Sequence, residues 1–210
     1  TGCRGNCAFS SDAWVYDFAA DSARMLVPRA SGVWYSPTGH VLFTGRDGGL
    51  FAAAFDARRL ALTSDAVPVI DGVRPGNFTL SASGAALYVL EHSALAPSDL
   101  MWVDREGRAV PLDTAWRARF DYPALSPDGR SLAVSVRDKT TDLWIRRADG
   151  SRLKVNAPGT VNWRPAWLAD GRSLTFLSIG DQEKDANDVT VYRVSADASA
   201  PASLVFRHLY

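Results

Sequence analysis

The sequence is poor in the residues that most often carry chemistry. Cysteine occurs twice in 210 residues, as Cys3 and Cys7. The two do not form a Cys-x-x-Cys pair and no second ligand pair follows, so a zinc site is not expected. They read as two thiols at the N-terminal end, or as a local disulfide where the compartment oxidises. Histidine occurs three times, at His40, His92 and His208, in a turn, at a strand end and in the tail. A solvated or hydrogen-bonded histidine is the ordinary outcome at such places, and recruitment of one as a general base is the alternative. Charge of one sign is missing too: Lys+Arg and Asp+Glu number 23 each. That argues against nucleic acid as a partner, because such binding needs a basic excess or stripe. No run of 18 apolar residues occurs, so no insertion into a membrane by a helix is expected. Sustained 3.6-residue periodicity is absent, which argues against a helical bundle. The chain begins with Thr1 and carries no signal segment, so it reads as a processed or trimmed piece of a longer polypeptide. Gly2-Cys3 would suit the end of a lipoprotein cleavage box, but the apolar stretch such a box needs is not there.

What the sequence does have is aromatics and repetition. Seven Trp, six Tyr and nine Phe favour strands and interfaces. Four segments share one pattern: Ser36-Pro-Thr-Gly-His-Val-Leu-Phe43, Ser81-Ala-Ser-Gly-Ala-Ala-Leu-Tyr88, Ser126-Pro-Asp-Gly-Arg-Ser-Leu-Ala133 and Leu168-Ala-Asp-Gly-Arg-Ser-Leu-Thr175. Their glycines, Gly39, Gly84, Gly129 and Gly171, are spaced 45, 45 and 42 residues apart. Four-stranded propeller blades run at about 40–50 residues. Each repeat offers a short apolar stretch, a Gly turn, a β-rich run, a variable loop, a third strand, another turn and a short fourth strand. Asp128-Gly129 and Asp170-Gly171 suit a tight hairpin, because Gly accepts positive φ and Asp tolerates it. A β-sandwich would show similar strands without a four-strand unit at this period.

The expected fold is therefore an all-β propeller of four-stranded antiparallel blades. Residues 1–13 form an N-terminal extension, and 14–28 the outer half of a blade. Whole blades follow at 29–73, 74–114, 115–157 and 158–210. Sixteen strands are expected after Arg29, preceded by two near 14–18 and 24–27. No inner strands precede Trp14, so the sequence looks like an arc of a larger ring, or one completed by another chain. Open blade edges would then permit self-association.

Tyr122-Pro-Ala-Leu-Ser-Pro-Asp-Gly-Arg-Ser-Leu-Ala-Val134 and Trp163-Arg-Pro-Ala-Trp-Leu-Ala-Asp-Gly-Arg-Ser-Leu-Thr-Phe176 resemble the WD40-like repeat of the TolB-type β-propeller. Gly39-His-Val-Leu-Phe43, Gly49-Leu-Phe-Ala-Ala-Ala-Phe-Asp56, Val67-Pro-Val-Ile70 and Leu100-Met-Trp-Val-Asp-Arg-Glu-Gly107 add a narrower likeness. In this order they resemble the C-terminal propeller of bacterial eukaryotic-like serine/threonine protein kinases. The resemblance covers about residues 14–206. It implies a sensory or protein-binding module attached to a signalling kinase, outside the cytoplasm. Departures fall in the turns: Ala82 and Ser83 replace Pro and Asp, and Thr38 replaces Asp. They are expected to weaken those turns.

No catalytic constellation is present. The sequence lacks a glycine-rich nucleotide loop, a His-Arg-Asp loop, an Asp-Phe-Gly motif and a Gly-x-Ser-x-Gly elbow. Neither enzyme activity nor a cofactor is expected. The segment Asp181-Gln-Glu-Lys-Asp-Ala-Asn-Asp188 gathers four carboxylates, but its spacing is not that of an EF-hand, so a solvated loop is expected rather than calcium. Arg74 and Asn77, Arg119 and Asp121, and Asn162 and Trp163 recur just before successive first strands. Loops of variable length share that end of each blade, and Arg and Trp are favoured binding anchors. These six residues form the candidate surface for a protein or small-molecule ligand. The competing reading has the arginines solvated, with Trp163 and Trp167 packed between blades. An accessory propeller of a serine hydrolase, or a TolB-like envelope scaffold, is the alternative function.

Overall fold

A computed structural model describes residues 12–45, 48–73, 76–90, 96–104, 107–180 and 189–207. Among them every regular element is a strand. The chain divides into two compact units, Thr1–Gly76 and Asn77–Tyr210.

In the first unit, β1 (Ala13–Asp17) and β2 (Ser22–Val27) form a two-stranded hairpin. Next come β3 (Gly32–Ser36), β4 (His40–Thr44), β5 (Gly49–Asp56), β6 (Ala61–Leu62) and β7 (Val67–Asp71). β3, β4, β5 and β7 pair in order as one antiparallel blade, while β6 extends the end of β5. Val27 and Ala30 bury against Val41, Phe43 and Ala53 of that blade.

The second unit holds three blades. The first is β8 (Phe78–Leu80), β9 (Ala86–Leu90), β10 (Asp99–Val103) and β11 (Ala109–Pro111). The next is β12 (Arg119–Leu125), β13 (Leu132–Arg137), β14 (Thr141–Arg146) and β15 (Arg152–Lys154). The last is β16 (Val161–Trp167), β17 (Ser173–Ile179), β18 (Thr190–Ser195) and β19 (Ser203–Arg207). The two expected outer strands and sixteen blade strands are all present, with β6 as the one addition.

Alternate residues of each blade face opposite neighbours, as the period of two requires. Leu87, Val89 and Leu100 of one blade bury with Leu132 and Val134 of the next. Ala133, Leu143 and Ile145, on the opposite face of that blade, bury with Leu174, Phe176, Tyr192 and Val194. Aligning the repeats on their glycines misplaces one rung. Ser81 N–H donates to Ala85 O, whereas Ser126 N–H donates to Ser131 O, one residue further on. Leu80 therefore pairs with Ala86, while Leu125 pairs with Leu132. Leu87 consequently occupies the place of Ala133, and one residue decides which face a side chain joins.

The turns share one local contact. Asp128 Oδ1 accepts from Ser126 Oγ at 2.6 Å. Ser83 Oγ meets Ser81 Oγ at 2.8 Å, and Thr38 Oγ1 meets Ser36 Oγ at 2.8 Å. Ser and Thr at the third turn position thus make the same local hydrogen bond as Asp. All four turn glycines keep positive φ, from 62° at Gly171 to 85° at Gly84.

Blades of the second unit are also joined by polar links. Thr79 Oγ1 accepts from Leu125 N–H at 3.0 Å, and Trp167 Nε1–H donates to Ala124 O at 2.9 Å.

Candidate functional site

The sequence pattern places the candidate residues just before the first strands. In the structure, four of them lie inside those strands: Arg119 and Asp121 on β12, Asn162 and Trp163 on β16. Asn77 immediately precedes β8. Arg74 lies outside the described residues, as do Cys3, Cys7, His92, His208 and the Asp181–Asp188 segment. Arg119 pairs with Arg137 and Val161 with Ile179, so the starts of β12 and β16 lie at the end of the blade that carries the second-to-third loop. Val161 also pairs in parallel with Thr141, the first residue of β14.

Two of the six residues are buried. Asn162 is only 1% exposed. Its Nδ2 donates to Gly159 O at 2.8 Å and Thr141 O at 3.3 Å, and its Oδ1 accepts from Ser178 Oγ at 2.8 Å. Asn77 is 5% exposed, and its Oδ1 accepts from Tyr122 N–H at 3.1 Å. A buried amide that satisfies neighbouring main chain is committed to the fold. Asn77 and Asn162 therefore tie strand starts together.

Arg119, Asp121 and Trp163 are half-buried. Arg119 Nε donates to Arg137 O at 3.2 Å and its Nη2 to Asp138 O at 3.4 Å. Asp121 forms an ion pair with the exposed Arg137. Lys154 pairs with Asp142 at 2.8 Å on the other face of this blade. The charges around the Arg137–Asp142 loop are thus held by one another and by loop carbonyls.

Trp163 belongs to a different arrangement. Its ring meets Tyr122 edge-on, with centroids 6.0 Å apart and an interplanar angle of 85°. The Arg164 guanidinium lies 5.2 Å from the Tyr122 centroid and 5.6 Å from that of Trp163. A cation over aromatic faces is attracted by their quadrupoles. Trp163 Nε1 is buried without an acceptor, and among the described residues Arg164 has no carboxylate partner. Trp167, by contrast, packs between blades and spends its N–H on Ala124. The two tryptophans that the repeat places together therefore have different jobs.

Backbone strain marks the same place. Tyr122 and Arg164 have φ of 52° and 50°. For bulky non-glycine residues this left-handed region is an outlier costing about 1–3 kcal/mol, and such residues concentrate at functional sites. Both precede proline, and both sit at register shifts, one between Asp121 and Ala124 and the other between Trp163 and Ala166. Proline cannot donate to the ladder, so a strand containing it needs a bulge or an edge. Pro123 and Pro165 are buried at those bulges. The sequence signal was the Tyr122-Pro123 and Arg164-Pro165 dipeptides inside strands. They would have identified Tyr122 and Arg164, which the candidate set lacked.

No family model matches the chain, and no curated protein matches it. Solved structures do. TolB from Acinetobacter baumannii is similar at a TM-score of 0.68 and 12% identity, over 91% of this chain and 47% of that one. The fold is that of an all-β propeller. An oligogalacturonate lyase in complex with manganese is similar at 0.57 and 15% identity, over 94% of this chain and 59% of that one. A puromycin hydrolase is similar at 0.59 and 14% identity, over 89% of this chain and 30% of that one. The chain thus spans about half the length of the TolB structure it matches. Likeness at these identities establishes the propeller fold. Among the described residues no cluster of His, Cys, Asp and Glu could hold a metal ion, and no helix is long and apolar enough to cross a membrane.

Proposed function

We propose that this chain is a non-catalytic binding module whose ligand surface is built on Tyr122, Trp163 and Arg164, flanked by Arg119 and Asp121. The observation that carries the reading is the guanidinium of Arg164 over two aromatic rings, beside a buried indole N–H that has no acceptor. Aromatic and arginine side chains dominate binding energies, and the exposed Arg164 guanidinium can donate to an acceptor on the ligand. The ligand is a protein segment or small molecule with an acceptor group and an apolar body. The resemblance of the upstream repeats to kinase-attached propellers supports a sensory role beside a signalling kinase, outside the cytoplasm. The sequence holds no Gly-x-Ser-x-Gly elbow and no kinase catalytic motif.

The test uses peptides selected from a random-sequence library against the immobilised chain. Arg164→Ala and Trp163→Ala should each weaken the selected peptide by about 1–3 kcal/mol, with the strand signature in circular dichroism retained. Arg130→Ala, at the opposite end of the blade, should leave it unchanged. Peptides indifferent to Arg164→Ala would overturn the reading. The chain should also turn over neither ATP with a protein substrate nor nitrophenyl esters. Turnover abolished by one propeller substitution would favour a catalytic role instead.

A further inference from the structure

Two arginines stand opposite each other where the third and fourth strands of one blade meet their turn. Arg146 closes β14, Arg152 opens β15, and the two are direct cross-strand partners. Their side chains therefore leave the same face of the sheet, with Cβ atoms about 5 Å apart. Like charges so placed destabilise a strand pair. The blade is the middle one of the second unit, and both of its faces meet described neighbours.

The counter-charges nearby are spent or distant. Lys154, two residues along β15, takes Asp142 at 2.8 Å. Asp149 accepts from Ser151 N–H at 2.9 Å within the turn. Asp113, from the preceding blade, stands 3.8 Å from Arg146 Nε, beyond hydrogen-bond reach, and its Oδ1 accepts from Ala115 N–H. Arg146 Nη1 reaches Arg147 O at 3.4 Å. Among the described residues Arg152 has no carboxylate partner.

Arg152 instead lies over an indole. Its guanidinium carbon is 5.3 Å from the centroid of Trp116, a buried ring. Trp116 in turn meets Trp144, with centroids 6.5 Å apart. A stacked guanidinium spends its face on the ring and keeps in-plane N–H groups for another acceptor. The ring also holds the fork in place, so less freedom is lost when an anion binds.

We propose that Arg146 and Arg152 form an anion site, separate from the Arg164 surface, that takes a phosphate or sulfate group. Two forks on one sheet face can both donate to a tetrahedral oxyanion, whose two negative charges offset both cations. A carboxylate, with one charge and two oxygens, leaves one arginine uncompensated. The site lies at the Arg147–Ser151 turn, at the opposite end of β14 from the Arg137–Asp142 loop. Arg152 is exposed and Arg146 half-buried, so the anion enters from the Arg152 side.

The test titrates the full chain with inorganic phosphate, against sodium chloride at matched ionic strength. The readout is the indole N–H signals of Trp116 and Trp144 in nitrogen–proton NMR. Phosphate should shift them saturably, and chloride should not. Arg152→Gln should weaken phosphate binding about tenfold or more, through loss of charge-assisted hydrogen bonds. Arg172→Gln, at an exposed arginine beside another turn, should leave it unchanged. Arg146→Gln should act as Arg152→Gln does; if it loses the strand signature, Arg146→Lys, which keeps the charge without the fork, takes its place and should also weaken binding. A phosphoserine peptide that binds more tightly than inorganic phosphate identifies a modified chain as the source, and equal affinity a free ion; either upholds the site. No saturable shift with phosphate, a shift matched by chloride, or binding unaltered by Arg152→Gln would overturn it.

Discussion

Asn162 provides the sharpest test of the division between scaffold and surface. Replacing it with Ala removes both strong bonds of its amide, to Gly159 O and from Ser178 Oγ, each 2.8 Å. The 3.3 Å bond to Thr141 O goes with them. Ser178 is 2% exposed, so water cannot readily replace the lost partner. A buried polar group left unpaired costs about 1–3 kcal/mol. With two groups orphaned and some relief from solvent entry, the expected loss is about 2–4 kcal/mol. For a chain of this size that lowers Tm by about 4–16 °C. Urea unfolding followed by tryptophan fluorescence reads the loss. The two compact units can unfold in separate steps, so the transition that moves must be identified by Trp144→Phe and Trp34→Phe controls. Adding Ser178→Ala removes one orphan, and the double-mutant cycle should return a coupling of about 0.5–3 kcal/mol. If Asn162→Ala stays within about 0.5 kcal/mol of wild type while abolishing peptide binding, the assignment of Asn162 to the scaffold is refuted.

Gly159→Ala should destabilise by about 1–3 kcal/mol, because an added Cβ would overlap Ser178 Oγ and stand 2.6 Å from Ile179 O, which the sheet holds in place; an unchanged urea midpoint would contradict this. The Ser126 hydroxyl, with Arg130 N–H, holds the Asp128 carboxyl below its ordinary value of 3.8. A depressed folded value stabilises above the unfolded value and is lost as pH falls through the folded one. Wild type should therefore exceed Asp128→Asn in stability at neutral pH, and the gap should close in acid below about pH 4, as urea midpoints across that range will show.

Much of the fold was legible because turns and strand periods are local. Glycines at 39, 84, 129 and 171 mark the blades, and the apolar runs between them mark the strands. The glycine alignment failed at Leu87, where a turn shorter by one residue moved the side chain to the other face. Sequence spacing does not report that slip. The candidate surface was legible in region more than in residue. Arg119, Asp121 and Trp163 remain on it, whereas Asn77 and Asn162 are buried by partners distant in sequence, Tyr122 and Ser178. Polar residues beside a strand start look alike until those partners are known. Tyr122 was missed, and Arg164 stood beside Asn162 and Trp163 without joining the six, because their role depends on left-handed backbone at a proline bulge.

The central claim is that ligand meets the starts of β12 and β16. Hydrogen–deuterium exchange of the chain, with and without a peptide selected from the random library, measures this most directly. Added protection is predicted in residues 119–122, 137–142 and 160–164. The turn tips at 36–40, 126–131 and 168–173 should exchange unchanged. Protection confined to those turn tips, with residues 160–164 unaffected, would contradict the account.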